Sequence, residues 1–405
     1  MPRSVGGLVR YLLLRLRFRK LRAALFALDP AGSVRVGRND RSRDLGPRRR
    51  DAAGRASRAE RAATRGQAGV RSRDGLSASV VVVTHRGDRV ALVRRCLDSL
   101  HAGTVLPKET IVVVDSNPSL EETLRHVLAD GRTEIVASSG AGASAARNAA
   151  LDVATGDIVA YLDDDASPET DWLESLVRAF EQDHSVVGIG GRIDPDYEGD
   201  SRLPPELLWL VGCTYRGHRE DEGPISRPIG ANMAFRSLAL ARVGGFSSEF
   251  GPRPDAGRAG TQLLERKTGS NEELALALQL RRVFGERCLW YWPSARVNHF
   301  VPSSRLRPRY ILRRLWIEGR TKAAIKTRFG PAAMGDDKRY LVHVLIPAIS
   351  RSVWTALLRR DRSALYATLL LAAGMLVTGA GYVFQGVIDR VARCTREFRP
   401  FAPST

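Results

Sequence analysis

At Ser79 the chain turns into a β-branched run, Val80-Val81-Val82-Val83-Thr84, bounded by polar residues, and this predicts a buried strand. A helix is expected over 89–100 and a second buried strand over 111–115, which runs into Asp-Ser-Asn-Pro. A helix-strand unit over 120–137, a helix from about Ala143 and a fourth strand over 157–162 complete the series. Apolar runs without alternation belong to strands covered on both faces, and their regular exchange with helices means a parallel sheet with helical layers. The fold class expected is therefore α/β. In such sheets ligands sit beyond the carboxyl ends of the strands, where Thr84, Asp115 and the acids after Leu162 fall.

Further on, a helix is expected over 169–183, with Ser167 and Pro168 as its N-cap and first residue, and then a strand over 186–193. Residues 194–228 hold many Pro, Gly and charged positions around an apolar 207–211, a composition suited to loops that build an acceptor site or lid. After Gly230 to Arg236 come a helix ending at Gly244-Gly245-Phe246 and a second helix over 271–284. The acids Glu272 and Glu273 open that second helix and suit its dipole. A basic helix is expected over 310–328, and residues 364–388 form an uncharged stretch of 25 residues. At about 1.5 Å per residue such a helix reaches across a roughly 30 Å hydrocarbon core, while its Gly, Ala and Thr residues weaken the hydropathy and leave a buried or monotopic hairpin as the competing reading. Arginines flank it on both sides, so the charge rule leaves its orientation open.

Composition changes this picture mainly at the N-terminus. The 405 residues carry a formal net charge of +19, which resembles a nucleic-acid signature until it is located. Residues 1–73 hold 20 Lys and Arg against five acids, so the globular remainder is near balance and no nucleic acid is expected as partner. Residues 1–28 mix apolar and basic positions and suit a membrane-surface helix, while 29–77, nearly free of large apolar residues, read as a disordered basic linker. The four cysteines lack paired spacing, which argues against a disulfide framework or zinc knuckle. The expected division is thus leader 1–28, linker 29–77, catalytic domain 78–325 and a membrane-associated helical region 326–405.

The densest charge follows the fourth strand: Asp163, Asp164 and Asp165 in succession. Carboxylates so placed repel one another unless a cation or a set of donors sits among them. Mg²⁺ or Mn²⁺ takes oxygen ligands and commonly grips a substrate phosphate at the same time. Residues i and i+2 of an extended strand point the same way, so Asp163 and Asp165 can aim at one point. The competing reading is a solvated acidic turn that opens the next helix.

Gly140-Ala141-Gly142-Ala143-Ser144-Ala145 follows a strand, opens a helix and so matches the G-x-G-x-x-A dinucleotide fingerprint, which makes an NAD-dependent oxidoreductase the alternative function. Two strand-helix units precede it, however, and three acids exceed what one ribose needs. A nucleotide diphosphate with a metal explains more: Asp115 accepts from base or ribose, Arg147 and Asn148 project from the helix, and the aspartates hold an ion on the pyrophosphate.

Here the blocks VVVVTHRGD, IVVVDSNPS, GASAARNAAL, GDIVAYLDDDASPETDWLESL, IGANMAFRS, VGGFSSEFG and SNEELALALQL, in this order and spacing over about 78–325, resemble the family 2 glycosyltransferases. That resemblance implies a GT-A fold and a transferase using a nucleotide-diphosphate sugar. It places Thr84, Arg86 and Asp115 around the nucleoside, Arg147 by the phosphates, Asp163 and Asp164 on the nucleotide sugar, and Asp163 and Asp165 at the two ends of the Asp-x-Asp metal motif. Glu273 resembles the catalytic base, with Glu272 beside it. His299 is a third candidate metal ligand, and Asn232 and Trp209 are assigned to acceptor binding. Two positions depart from the pattern, Asn271 for a glycine and Gln279 for an arginine. The stretch from Pro293 through Ala323 resembles a subgroup described as glucosyl-dolichyl-phosphate glucuronosyltransferases. The expected enzyme is inverting, assisted by Mg²⁺ or Mn²⁺, and acts on a polyprenyl-linked or cell-envelope glycan acceptor at the cytoplasmic face of the cell membrane.

Overall fold

The computed structural model describes residues 75–129, 131–247, 272–331 and 335–397. The leader expected over 1–28 and nearly all of the linker over 29–77 lie outside the described residues. Nine strands form one sheet: β1 (Ala78–Thr84), β2 (Glu109–Val114), β3 (Thr133–Ala137), β4 (Ile158–Asp163), β5 (Ala166–Pro168), β6 (Gly188–Tyr197), β7 (Gly223–Pro224), β8 (Asn232–Arg236) and β9 (Leu289–Val301). The order is β3-β2-β1-β4-β8-β6-β9-β5, with β7 paired to β9. β3, β2, β1 and β4 are mutually parallel, β8 runs against both β4 and β6, and β6 is parallel to β9. The carboxyl ends of β1, β2, β4, β6 and β9 thus share one edge with the amino end of β8.

The strand runs lack alternation because both faces are covered. Val80 and Val82 pack into one core with α1 (Val90–His101), α2 (Pro118–Val127) and α4 (Trp172–Gln182). Val81 packs into the other with α3 (Ala143–Leu151), α5 (Ser237–Val243) and α6 (Glu272–Phe284). β2 and β4 divide their residues in the same way, Val112 and Leu162 facing one core, Val113 and Tyr161 the other. Tyr161 is fully buried and meets Phe235 and Phe246 edge-on at 6.4 and 5.4 Å. At about 2–5 kcal/mol for truncating one buried leucine, a change such as Leu176→Ala would weaken the layer that holds α4.

The helix expected over 169–183 begins instead at Trp172. Ser167 and Pro168 are not its cap: they belong to β5, which pairs with β9 in the register Ala166 to His299. A local cap pattern lost to a long-range pairing, and that pairing joins the acids to the histidine. β6 also runs four residues into the stretch expected to be loop, past a register shift at Gly191/Arg192.

Beyond the sheet, α7 (Pro308–Phe329) leads to α8 (Gly335–Tyr340), a π-helical turn at Leu341–Leu345, α9 (Ile346–Arg359) and α10 (Arg362–Glu397). Gly335–Arg359 and Arg362–Val391, of 25 and 30 residues, are each long and apolar enough to cross a membrane. The second contains the uncharged stretch anticipated at 364–388; the first was not singled out.

Candidate active site

The three aspartates separate by direction. Asp164 turns inward: it is buried, accepts from Thr84 Oγ1 at 2.6 Å and is ion-paired with Arg89. Burial, offset in part by Arg89 and reinforced by Asp165, pushes its carboxyl up to about 6. Asp164 and Thr84, both expected at the nucleotide, are therefore occupied with each other beneath the edge. Arg86 also departs from its expected place beside the nucleoside: it is exposed and paired with Asp88. From this segment the cation that reaches the acids is Arg89, one turn later, whose NH2 lies 3.1 Å from Asp165 Oδ2.

Asp163 and Asp165 come together with His299, as i and i+2 alternation and the β5–β9 pairing require. Oxygen and nitrogen atoms of the three lie within 4.8 Å of one another. Asp165 is buried, with Oδ1 3.0 Å from His299 Nε2 and Oδ2 3.0 Å from Arg305 NH2. Burial raises the Asp165 carboxyl, but His299, Arg305 and Arg89 together hold it well below the usual carboxylate range. Burial likewise disfavours charge on His299, yet the Asp165 carboxylate outweighs it and pushes the imidazole up to about 10. The 3.0 Å approach is an ion-pair contact off the line of the N–H bond, since His299 Nε2 has no hydrogen-bond partner. On the far side, Nδ1 sits 3.8 Å from Cys213 Sγ, which fixes the ring. Asp163 stands above this pair with its side chain 40 % exposed, 3.9 Å from Nε2.

This donor set fits a divalent ion. Two carboxylates and the buried imidazole Nε2 beside them are oxygen and nitrogen ligands of the kind Mn²⁺ and Mg²⁺ accept once the ion displaces the Nε2 proton.

The second cluster is joined to the first by Arg147. From α3 its NH1 binds Glu272 Oε1 at 2.7 Å, while NH2 lies 3.8 Å from Asp163 Oδ1 and 3.7 Å from Glu273 Oε1. The guanidinium rests on the Phe246 ring at 5.4 Å, and Asn148 holds Phe246 by two 2.8 Å bonds to its backbone. Its charge is favoured, since Glu272, Glu273 and Asp163 outweigh the cost of burial. Glu272 is buried in this pair, so its acid is spent on Arg147. Glu273 keeps 18 % of its side chain exposed. Burial first, and then Glu272, push its carboxyl up to about 7 against the pull of Arg147. Gly230 leaves the room that Glu273 needs, because a Cβ there would collide with Oε1.

Asp115 ends β2 buried and accepts from Gly142 N at 2.9 and 3.0 Å and from Ser116 Oγ at 2.9 Å. The second glycine of the fingerprint loop thus spends its N–H on Asp115, and the loop follows β3 at the sheet margin rather than a central strand. Asn232 corrects its assignment to the acceptor. It is fully buried, its Nδ2 donates to Arg192 O (3.0 Å) and Ala295 O (2.8 Å), and its Oδ1 accepts from Trp172 Nε1 at 2.9 Å. Its role is to knit four elements, and Gly191 makes space for it. Trp209, half-buried in the 3₁₀ segment Pro205–Val211, leaves Nε1 without a hydrogen-bond partner and has Lys322 Nζ at 6.0 Å from its ring centroid. Sequence reading missed Arg89 and Arg305. Both sit inside or beside stretches that stood out, and only the tertiary pairing shows which basic residue faces the acids.

A sheet of this order, with one reversed strand between parallel halves and acids gathered at the carboxyl edge, has the α/β class expected from the sequence. Residues 79–244 match the family model described as glycosyl transferase family 2. It is similar to a glucosyl-dolichyl phosphate glucuronosyltransferase of Haloferax volcanii, 28% identical over 67% of this chain and 84% of the relative. A pre-mycofactocin glycosyltransferase of Mycobacterium tuberculosis is 36% identical over 26% of this chain and 23% of its own length. Among solved structures, a mannosyltransferase from Pyrobaculum calidifontis in complex with GDP-Man and Mn²⁺ aligns at a TM-score of 0.48 and 18% identity, covering 82% of this chain and 94% of that one.

Proposed function

We propose that this glycosyltransferase moves a sugar with inversion from a nucleotide-diphosphate sugar to a polyprenyl-linked or cell-envelope acceptor at the cytoplasmic face of a membrane. The observation that carries the reading is the junction at Arg147, where a metal-suited trio and a raised carboxyl stand on either side of one guanidinium. Asp163, Asp165 and His299 would hold Mn²⁺ or Mg²⁺. When bound, the ion supplies positive charge to the leaving diphosphate. Arg305 and Arg89 keep Asp165 ionised and fixed. Glu273 takes the proton from the acceptor hydroxyl, whose oxygen then bonds to the anomeric carbon as the bond from that carbon to the diphosphate oxygen breaks. A carboxyl pushed up to about 7 suits this role, because it is basic enough to take a proton and deprotonated often enough to do so. The acceptor chemistry is supported by the Haloferax relative, whose name specifies a dolichyl phosphate glycoside, and by the two apolar C-terminal helices.

The test is transfer and donor hydrolysis over a panel of sugar nucleotides with and without divalent metal, with the anomeric configuration of the product read by NMR. An inverted product, with metal-dependent turnover lost in Asp165→Ala, is expected. A retained configuration, or full activity in the presence of strong chelator, would refute the mechanism.

A further inference from the structure

The strongest unexplained feature is the outer surface of α9 and α10. Trp354, Leu357, Leu358, Leu369, Leu376 and Val383 are each more than 60% exposed, so both helices carry bare apolar side chains. We propose that the hairpin from α8 to α10 lies within one leaflet of an anionic membrane, without crossing it, and that this seats the active-site edge at the lipid surface. The inference deepens the proposed function and rests on its membrane-held acceptor.

The inner face of α10 decides between crossing and lying. Gly319 of α7 packs against Thr378 and Tyr382, and Gly381 of α10 against the Trp316 backbone, at positions where a Cβ would collide. Trp316 meets Phe384 at 5.3 Å, Arg320 Nε donates to Gln385 Oε1 at 2.9 Å, and Thr327 Oγ1 donates to Asp389 Oδ2 at 3.4 Å. These contacts advance in the same direction along both helices, so α7 accompanies α10 through the middle of its uncharged stretch. α7 carries seven basic residues and one acid. A crossing α10 would draw Arg313, Arg314, Arg320 and Lys322 to hydrocarbon depth, where charges are strongly disfavoured.

The catalytic domain blocks a crossing too. A Cβ on Gly374, near the centre of the stretch, would stand 3.6 Å from Leu315 and 3.8 Å from Leu207. Leu207 belongs to the Pro205–Val211 segment, two residues ahead of the Cys213 that holds His299. The side of α10 that faces the protein is therefore filled, and only the outer side is free for lipid. Exposed Arg359, Arg360 and Arg362 at the hairpin turn and Arg390 near its end put cations at the rim of the apolar face. That is the pattern of a helix whose apolar side enters the acyl boundary while its arginines stay among anionic headgroups. Protein partners and a second copy of the chain fit the apolar side but leave the arginine rim unexplained.

The test uses the full chain and sealed vesicles of phosphatidylcholine, with or without phosphatidylglycerol. Flotation with the anionic vesicles is expected, with at least tenfold less bound on the neutral ones. The variant Leu369→Asp/Leu376→Asp should lose at least tenfold in flotation while its circular dichroism and melting curve match the parent. In a Ser363→Cys variant bound to vesicles, a membrane-impermeant maleimide added outside should label position 363, read by peptide mass. Labelling only after detergent would show a crossing hairpin and overturn the proposal. Absence of flotation, equal recovery on neutral vesicles, or a lipid-free dimer that covers this face would overturn it as well. None of these readouts involves sugar transfer, so their failure leaves the proposed chemistry intact, and a failed transfer assay leaves the membrane geometry intact.

Discussion

Two runs of adjacent acids stand at the same sheet edge and have been given opposite electrostatic fates. After β4, Asp165 meets three cations, Arg89, Arg305 and His299, and is held charged well below the carboxylate range. At the start of α6 the acids share mainly Arg147, and Glu272 takes its close contact at 2.7 Å. Glu273 is left at 3.7 Å from the same guanidinium and is pushed up to about 7. Surplus positive charge produces a permanent carboxylate, the form a metal ligand needs. A shortage produces a carboxyl that exchanges protons near neutrality, the form a base needs. The difference lies in the neighbours, since the acids themselves are chemically alike.

The largest expected effect breaks the first region. Asp165→Ala should lower metal-dependent transfer about 10³-fold or more, since charge stabilisation by a bound ion is worth several kcal/mol in the transition state. Metal titration followed by calorimetry or manganese spin resonance checks it; unchanged metal affinity would remove Asp165 from the ligand set. Glu273→Gln breaks the second region and should cost about 10²- to 10⁴-fold in transfer, the usual range for a general base. Metal affinity should be unchanged in this variant, and a loss of metal instead of rate would merge the two regions into one.

Next in size is Glu272→Gln. It removes the charge that Arg147 pairs with at 2.7 Å and leaves its nearest carboxylates at 3.7 and 3.8 Å, on Glu273 and Asp163. Breaking a buried pair from one side costs about 3 kcal/mol, so denaturant unfolding should show a loss of that order. A variant as stable as the parent would mean that Arg147 had been shared evenly between the acids. That result would erase the contrast between Glu272 and Glu273.

Much of this was legible before the fold was known, and the parts that were not have a common cause. The β-branched runs of β1, β2 and β4 announce their strands because each is buried on both faces. Asp163, Asp165 and His299 were proposed together and stand together, but through β5, a strand of three residues whose Ser167 and Pro168 look locally like a helix start. Asp164 and Thr84 carry the residue types expected at a nucleotide, yet here they are bonded to each other. Asn232 looked functional because it is polar within an apolar block, yet its amide is consumed by backbone carbonyls and Trp172 Nε1. Arg89 and Arg305 were overlooked because nothing local distinguishes them from the many other arginines of this chain. Residue type and strand period are local properties, whereas the identity of each partner is set by pairing across the sheet.

The pH profile is the next prediction. Glu273 acts as a base only when deprotonated, so with its carboxyl raised to about 7 the rate should fall tenfold per pH unit on the acid side of that value. Stability moves the other way for this group: the folded protein holds the proton more tightly, so its contribution improves as pH falls from about 7 toward the ordinary 4.5. Opposite slopes of rate and melting temperature below neutrality are the expected signature, with the rate slope absent in Glu273→Gln. A rate that stays level from pH 5 to 8, about two units below to one above the raised value, would place the base elsewhere.

The smallest effect distinguishes two arginines three residues apart. Arg89 is largely buried and bridges Asp164 and Asp165, whereas the Arg86 side chain is 54% exposed and pairs with Asp88, itself 61% exposed. Exposed ion pairs are worth about 0.5 kcal/mol or less after screening. Arg86→Ala should therefore leave the melting curve within that margin, whereas Arg89→Ala should lower it clearly. If the Arg86 variant instead weakens donor binding tenfold, the side chain leaves Asp88 when a nucleotide arrives. The cation supply of the first region would then exceed Arg89, Arg305 and His299, and its contrast with the second region would grow.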